Sequence, residues 1–357
     1  MNIDPGRYTN GRIALVNLSS SIESMERRRV EGADFHDLVA LSKLLFLRGD
    51  VLGRIADHDR AEAVAREAAE ASPSIGDALL IRARLAERFH RFEEAHALLD
   101  KAIKAGNESP EVNATRASIF QATGKFREAL AARTALMEGD RGIHTIGALA
   151  ALLADIGRWV AAETLYAEAL EADDSVSPMP CAQLLFEWGV GAMRRGYLDR
   201  AEEVFGLLES ILPAHVPGRG HRAEVALARG QLDAAAALVE PLLALSDDPE
   251  YLAIHAEILA AQKNHADATR EALRAAAAYD SLLARRPEAY ADHAAAFFMG
   301  IGDRPLLALE LASKNRALRD TPRSRRLVAR AQQAAAERGH FARAWSLVCD
   351  SRQAVPC

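Results

Sequence analysis

Phe92-Glu93-Glu94-Ala95 opens an apolar helical run, and Phe126-Arg127-Glu128-Ala129 opens another 34 residues later. The same phrase, a bulky residue followed by two mostly polar ones and an alanine, recurs along the chain. It stands at His58-Asp59-Arg60-Ala61, Trp159-Val160-Ala161-Ala162, Leu198-Asp199-Arg200-Ala201, Leu232-Asp233-Ala234-Ala235, His265-Ala266-Asp267-Ala268 and Phe341-Ala342-Arg343-Ala344, with a looser copy at Pro305-Leu306-Leu307-Ala308. Successive alanines are 34, 34, 33, 39, 34, 33, 40 and 36 residues apart. A near-constant interval of this size marks a repeat array, in which each unit buries its apolar face against the next.

The phrase is often preceded by glycine, as at Gly124, Gly157, Gly196, Gly230 and Gly339, where one helix must stop and the chain must turn through a left-handed conformation. Each unit therefore reads as a helix, a turn and a second helix. Ala201, Val204, Phe205, Leu208 and Ile211 form one apolar stripe on a second helix, closed by Pro213, and Pro73 closes the first unit in the same way. The first helices offer a facing stripe with a small residue, as in Leu149, Ala150 and Leu153, or Leu185, Gly189 and Ala192. Two intervals are long. The surplus between Ala162 and Ala201 falls in the turn-forming stretch 171–180, which reads as a loop. That between Ala268 and Ala308 falls in 275–286, which reads as an extended helix before Pro287.

On these motifs the chain resembles the tetratricopeptide-repeat family, with about nine copies over residues 37–350. The resemblance implies an all-α, right-handed superhelical solenoid of helix-turn-helix repeats. The bulky residue early in the first helix is present as Leu45, Leu79, Ile146 and Leu252, and the small residue four positions on as Gly49, Ala83, Ala150 and Ala256. The copies depart from the pattern at Pro305, in the bulky site, and at Arg219 and Arg222, where apolar residues are expected. Residues 1–36 are expected to hold a short helix, capped near Ser20 or Ser21, covering the end of the first repeat, and residues 351–357 to form a tail.

Composition agrees. Half the residues are hydrophobic, 26% are charged, and alanine accounts for 73 of 357, which favours close-packed helices over a β-rich core. The start of the chain lacks the features of an export signal, no apolar run is long enough for a membrane helix, and Cys181, Cys349 and Cys357 are too few for a disulfide framework. A soluble cytoplasmic protein is expected, and the scarcity of lysine, 6 against 38 arginines, suggests a bacterial source. Cys349 is expected in the core and Cys357 on the surface.

No phosphate loop, nucleophile elbow or zinc-binding histidine pair is present. Gly218-Arg219-Gly220-His221-Arg222-Ala223 matches a relaxed dinucleotide fingerprint but follows prolines rather than a strand. His90 and His96, like His215 and His221, are six apart, which does not put two imidazoles on one helical face. His58 and His265 occupy the bulky site of the repeat. Neither a cofactor nor a metal nor an enzymatic activity is expected.

The resemblance implies that first-helix residues facing away from the paired helix line an inner groove for a protein or peptide partner. Carried over by position, these are Phe46, Arg54, Arg84, Arg88, Phe186, Met193, Arg194, His221, Glu224, Tyr290, His293 and Phe297, with Leu80 in phase with Phe46; partial burial in the neighbouring hairpin is the alternative for each. Arginine and aromatic side chains dominate recognition hot spots. Arg84 is in phase with Asp50 and is a candidate to pair with it. The carboxylate clamp of chaperone-binding relatives has no counterpart, the corresponding sites holding Lys43, Asp77 and Glu111 among others.

Between Arg304 and Arg343 nine arginines and a lysine face three acids, an excess of seven positive charges within a chain of net charge -6. Arg323, Arg325, Arg326 and Arg330 crowd together, either as a docking patch for an acidic partner or as a solvated cap; nucleic acid is not favoured, because interleaved aromatics are missing. The expected function is a non-catalytic adaptor using the concave face. An accessory subunit presenting substrate to a separate enzyme, or a receptor for a signalling peptide, are the alternatives.

Overall fold

The computed structural model describes residues 4–32, 34–72 and 76–352, with side chains up to residue 338. Every regular element among them is helical. After a 3-10 turn at Pro5–Arg7 come α1 (Gly11–Gly32) and eight antiparallel hairpins. Hairpin 1 is α2 (Phe35–Leu52) with α3 (Ile55–Ala71), hairpin 2 is α4 (Gly76–Arg88) with α5 (Phe92–Lys104), and hairpin 3 is α6 (Pro110–Ala122) with α7 (Phe126–Gly139). Hairpin 4 pairs α8 (Ile143–Asp155) with α9 (Trp159–Glu171), and hairpin 5 pairs α10 (Pro178–Arg194) with α11 (Leu198–Ile211). In hairpin 6, α12 (Val216–Ala228) packs on α13 (Leu232–Val239) and α14 (Leu242–Leu245), which are one helix interrupted at Pro241, where no N–H is available for the ladder. Hairpin 7 is α15 (Pro249–Ala261) with α16 (His265–Arg285), and hairpin 8 is α17 (Pro287–Met299) with α18 (Pro305–Leu318). The last unit is a single helix, α19 (Pro322–Arg352), packed on α17 and α18. Together these build the right-handed superhelical solenoid.

The repeat phrase folds as its chemistry dictates. Its alanines at 61, 95, 129, 162, 201, 235 and 308 are buried without residual exposure, where any larger side chain would push the paired helices apart. The matching small residue on the first helix meets the bulky turn residue or its stripe: a Cβ on Gly189 would lie 2.5 Å from the Phe205 ring, and one on Gly49 would lie 2.6 Å from His58 Nε2. Arg222 sits at its apolar-phase position by donating to Glu202 Oε1 at 2.9 and 2.7 Å and pairing with Glu209. Gly124, Gly157, Gly196 and Gly230 do adopt positive φ at helix ends. Gly339 lies within α19, so the ninth unit has no turn at that point; the phrase at 341–344, Cys349 and the tail fall outside the described side chains, as do Pro73 and Cys357.

Successive windings of the superhelix touch. The turn inside hairpin 1 docks on the connection between hairpins 6 and 7: Arg54 Nε donates to Leu245 O at 2.8 Å, and the first two amides of α3, Ile55 N and Ala56 N, donate to Asp247 at 2.6 and 3.0 Å. A helix start is thus capped from 191 residues away, its orphan N–H groups met by a carboxylate. The turn of hairpin 2 docks on the connection between hairpins 7 and 8, where Arg286 lies 3.8 Å over the Phe89 ring and His90 Nδ1 bonds to Glu288 O at 2.9 Å. The turn of hairpin 3 docks on the connection between hairpin 8 and α19. There a Cβ on Gly124, which sits at φ +81°, would lie 2.5 Å from Asp320 O. Each turn therefore meets a connection five to six hairpins further on, which is one winding.

The segment before hairpin 1 follows the same rule. Helix α1 runs the full length of Gly11–Gly32, with Ser20 and Ser21 in its interior rather than at its start. It buries Leu18 and Ile22 against hairpin 1, and Gly11 abuts Ile211 and Leu212 at the connection between hairpins 5 and 6. Just ahead of it, Tyr8 Oη donates to Asp173 Oδ2 at 2.9 Å and Thr9 N to Val176 O at 2.7 Å. The two long intervals in the sequence now have a purpose. The loop between α9 and α10 receives the start of the chain, and the extended α16 carries Arg285 and Arg286 to Asp59 of the winding below.

Candidate functional site

The first helices of the hairpins, α2, α4, α6, α8, α10, α12, α15 and α17, form the inner face. Helix α2 touches α12, so the first winding closes on itself. The inner face is polar and solvent-accessible: the side chains of Arg88, Asp50, Asp155 and Arg194 are 36%, 38%, 40% and 45% exposed although helices surround them.

On hairpins 1 and 2, Phe46 packs edge-on against His58 and lies under the Arg84 guanidinium at 5.3 Å. Asp50 does not pair with Arg84; it bonds to His58 Nε2 at 2.9 Å and lies 3.8 Å from Arg88 Nε, because Arg84 is drawn onto the ring. Arg54 is taken up by the contact between windings. On hairpins 5 and 6, Phe186 lies between His215 and His221, with ring centroids at 5.3 and 5.6 Å, and His221 Nδ1 meets Glu224 Oε2 at 2.5 Å. Met193 is half-buried against the core beside Arg194. Tyr290 and Phe297 are buried: Tyr290 joins the core of hairpin 1, its hydroxyl without a hydrogen-bond partner among the described residues, and Phe297 packs 5.2 Å from Tyr279. For these two the structure takes the alternative the sequence left open: hairpin 1 of the neighbouring winding covers Tyr290, and Tyr279 of the preceding hairpin covers Phe297.

The strongest electrostatic coupling is on hairpins 7 and 8. His293 lies 3.5 Å from Glu250 Oε1 and 3.9 Å from Asp292 Oδ1. Burial disfavours its cation, but these two carboxylates outweigh that and raise its pKa to about 9. Burial likewise pushes the Glu250 carboxyl up, and the imidazolium overcomes it, bringing the group to about 2. Because the folded-state value of His293 lies above its ordinary 6.5, the stability it contributes is fully present below that pH and is lost as pH rises toward about 9. A titration of the His293 ring protons by NMR is expected to show this raised midpoint, and Glu250→Gln to move it back toward 6.5. A midpoint at or below the ordinary value in the unmodified protein would contradict the pairing.

Of the basic cluster, Arg325 is tied to Asp320 by two bonds of 2.8 Å, while Arg326 and Arg330 are exposed without an ion pair among the described residues. Arg323 is within electrostatic reach of Arg194, Glu250 and His293. Sequence reasoning missed Asp155, Glu250, Asp292 and Arg319. Asp155 had a signal: it lies 34 residues after Gln121, in phase, and the two are hydrogen-bonded at 2.7 Å. No group of histidines, cysteines and carboxylates able to hold a metal occurs among the described residues, and no helix among them is long and apolar enough to cross a membrane.

No family model matches the chain, and no curated protein matches it by sequence. Solved structures match by fold. A tetratricopeptide-repeat protein from Parabacteroides merdae is 19% identical, with a TM-score of 0.44 over 68% of this chain and 92% of that one. PilF of Pseudomonas aeruginosa is 15% identical, with a TM-score of 0.44 over 59% and 92%. The Cut9–Hcn1 heterotetramer of APC/C is 15% identical, with a TM-score of 0.50 over 83% of this chain and 55% of that one. At these identities the likeness concerns the fold alone, which is the tetratricopeptide-like solenoid.

Proposed function

We propose that this tetratricopeptide-like solenoid is an interaction module that holds an extended segment of a protein partner along its inner face by non-covalent contacts. The observation that carries the reading is the accessibility of charged side chains on that face. Arg88, Arg194 and His293 keep 36%, 45% and 37% of their side chains accessible while helices of two windings surround them. A core packed only for stability fills such space with apolar groups, because each desolvated charge costs more than it returns. Docking of turn on connection closes the wall between windings, so a guest reaches the inner face along the superhelix axis. An extended chain suits that geometry better than a folded domain.

A photo-crosslinking residue placed at Met193, on the inner face, is expected to capture a partner peptide in the native host. The same residue at Arg66, exposed on second-helix α3, is expected not to. Adducts from position 66 alone would place recognition on the outer surface and end the inner-face reading.

A further inference from the structure

We propose that Arg194, Arg319 and Arg323 form an oxyanion-binding site on the inner face, which takes a carboxylate or phosphate group carried by the partner segment. The proposal rests on the interaction-module reading and names the chemistry of its anchor. The three guanidiniums come from different parts of the chain: Arg194 ends α10, Arg319 follows α18, and Arg323 lies in the first turn of α19. The contact of Gly124 with Asp320 O brings the α18–α19 connection against hairpin 3, beside Gln121 and its partner Asp155.

What sets these arginines apart is unused donor capacity. Arg48 holds Asp57 through two bonds of 2.7 and 2.6 Å, which is how a satisfied guanidinium fork looks in this chain. The Arg194 side chain makes no hydrogen bond among the described residues; the carboxylate oxygen it approaches, on Asp155, is 3.8 Å away, and the other oxygen of Asp155 is occupied by Gln121 at 2.7 Å. Arg323 is exposed and has neither an ion pair nor a hydrogen bond among the described residues. The Arg319 side chain is 18% exposed; among the described residues its Nε is buried with no partner, and its Nη1 makes only long contacts, 3.4 Å to Asp292 and 3.2 Å to His90 Nε2. His90 is neutral, since burial brings its pKa down to about 4; its Nδ1–H donates to Glu288 O, which leaves Nε2 as an uncharged acceptor.

These three guanidiniums repel one another, and the carboxylates around them are shared with other partners, Asp155 with Gln121 and Asp292 and Glu250 with His293: burial and then Arg323 pull the pKa of Arg194 down to about 10. A cluster of like charges with open forks in partly enclosed surroundings is matched by an oxyanion, which accepts several N–H groups at once and cancels the surplus charge. The site also joins two surfaces that are separate in the sequence, the inner groove through Arg194 and the basic cluster through Arg323.

Calorimetric titration of the full chain with a glutamate-rich peptide, with the same peptide carrying a central phosphoserine, and with its glutamine counterpart tests the site, with inorganic phosphate as the small-ion control. Both acidic peptides are expected to bind, the glutamine peptide about tenfold more weakly or worse, and Arg194→Gln and Arg323→Gln each to cost about tenfold. Stronger binding of the phosphoserine peptide, together with binding of inorganic phosphate, identifies phosphate as the source; equal binding of the two peptides identifies carboxylate. Arg323→Gln is also expected to raise the melting temperature of the unliganded protein, because it relieves repulsion, whereas a merely structural arginine would lower it. Equal binding of the glutamine peptide, no loss in the two variants, or no binding of either acidic peptide overturns the proposal. Crosslinking from position 193 in the native host would in each of those cases still stand as support for the interaction module.

Discussion

Replacing Arg286 by alanine is expected to destabilise the protein by about 3 kcal/mol, read as a lower midpoint in urea. Arg286 fastens one winding to the next: Nη2 donates to Asp59 Oδ1 at 2.8 Å and to Glu62 Oε2 at 2.5 Å, Nε reaches Asp59 at 3.2 Å, and the guanidinium plane covers Phe89. Only 18% of its side chain and 11% of that of Glu62 are exposed, so the charges are largely removed from water. Burial drives the Glu62 carboxyl upward, and Arg286 together with Arg91 reverses this and holds it low. Without Arg286, Glu62 keeps one cation, Asp59 keeps the exposed Arg285, and the Phe89 ring keeps only the more distant Arg91 guanidinium. Arg286→Lys retains the charge without the fork and is expected to recover less than half of the loss. The stability from the depressed Glu62 is present at neutral pH and is lost as pH falls through its folded-state value, so the gap between wild type and variant should narrow in acid. An unchanged midpoint for Arg286→Ala would show that the windings are held by other contacts.

Trp188→Ala is expected to cost about 3–5 kcal/mol, the range for deleting a large aromatic from a filled core. The indole is fully buried in α10, stacked on Tyr166 with centroids 5.3 Å apart and planes 10° from parallel, and Arg200 lies over it at 4.7 Å. Trp188→Phe provides the control. Trp188 Nε1 is buried and has no acceptor among the described residues, so phenylalanine gives up packing area but also removes an unmet donor. Its cost is expected to stay below about 2 kcal/mol, and a penalty equal to that of alanine would mean that the nitrogen has a bonding role.

The repeat architecture is legible in the chain because its determinants are local and recur. Ala95, Ala129 and Ala201 sit where two helices come closest, and Gly189 opposite Phe205 serves the same need from the other helix. On the inner face, the sequence placed Phe46 and Arg84, and Phe186 and His221, on the same side, and the structure brings each pair into contact. That face was not legible where a second winding decides the outcome. Nothing near Tyr290 in sequence announces that hairpin 1 will cover it, and Arg54 looks like a groove residue until Leu245, 191 positions away, accepts its bond. Helix α1 was foreseen as a short cap, because its tie to Ile211 and Leu212 is equally remote. Arg319 escaped notice for the same reason: its neighbours His90 and Asp292 are 229 and 27 residues distant.

Docking of each turn on a connection five to six hairpins later bears on how such a chain can lengthen during evolution. In an open array, duplication of one unit changes only its two flanks. Here one additional unit between hairpins 3 and 6 would offset Asp247 from the start of α3, Glu288 from His90 and Asp320 from Gly124 all at once. Growth by single duplication is therefore confined to the two ends, and the number of units in the middle is fixed by the circumference they must complete.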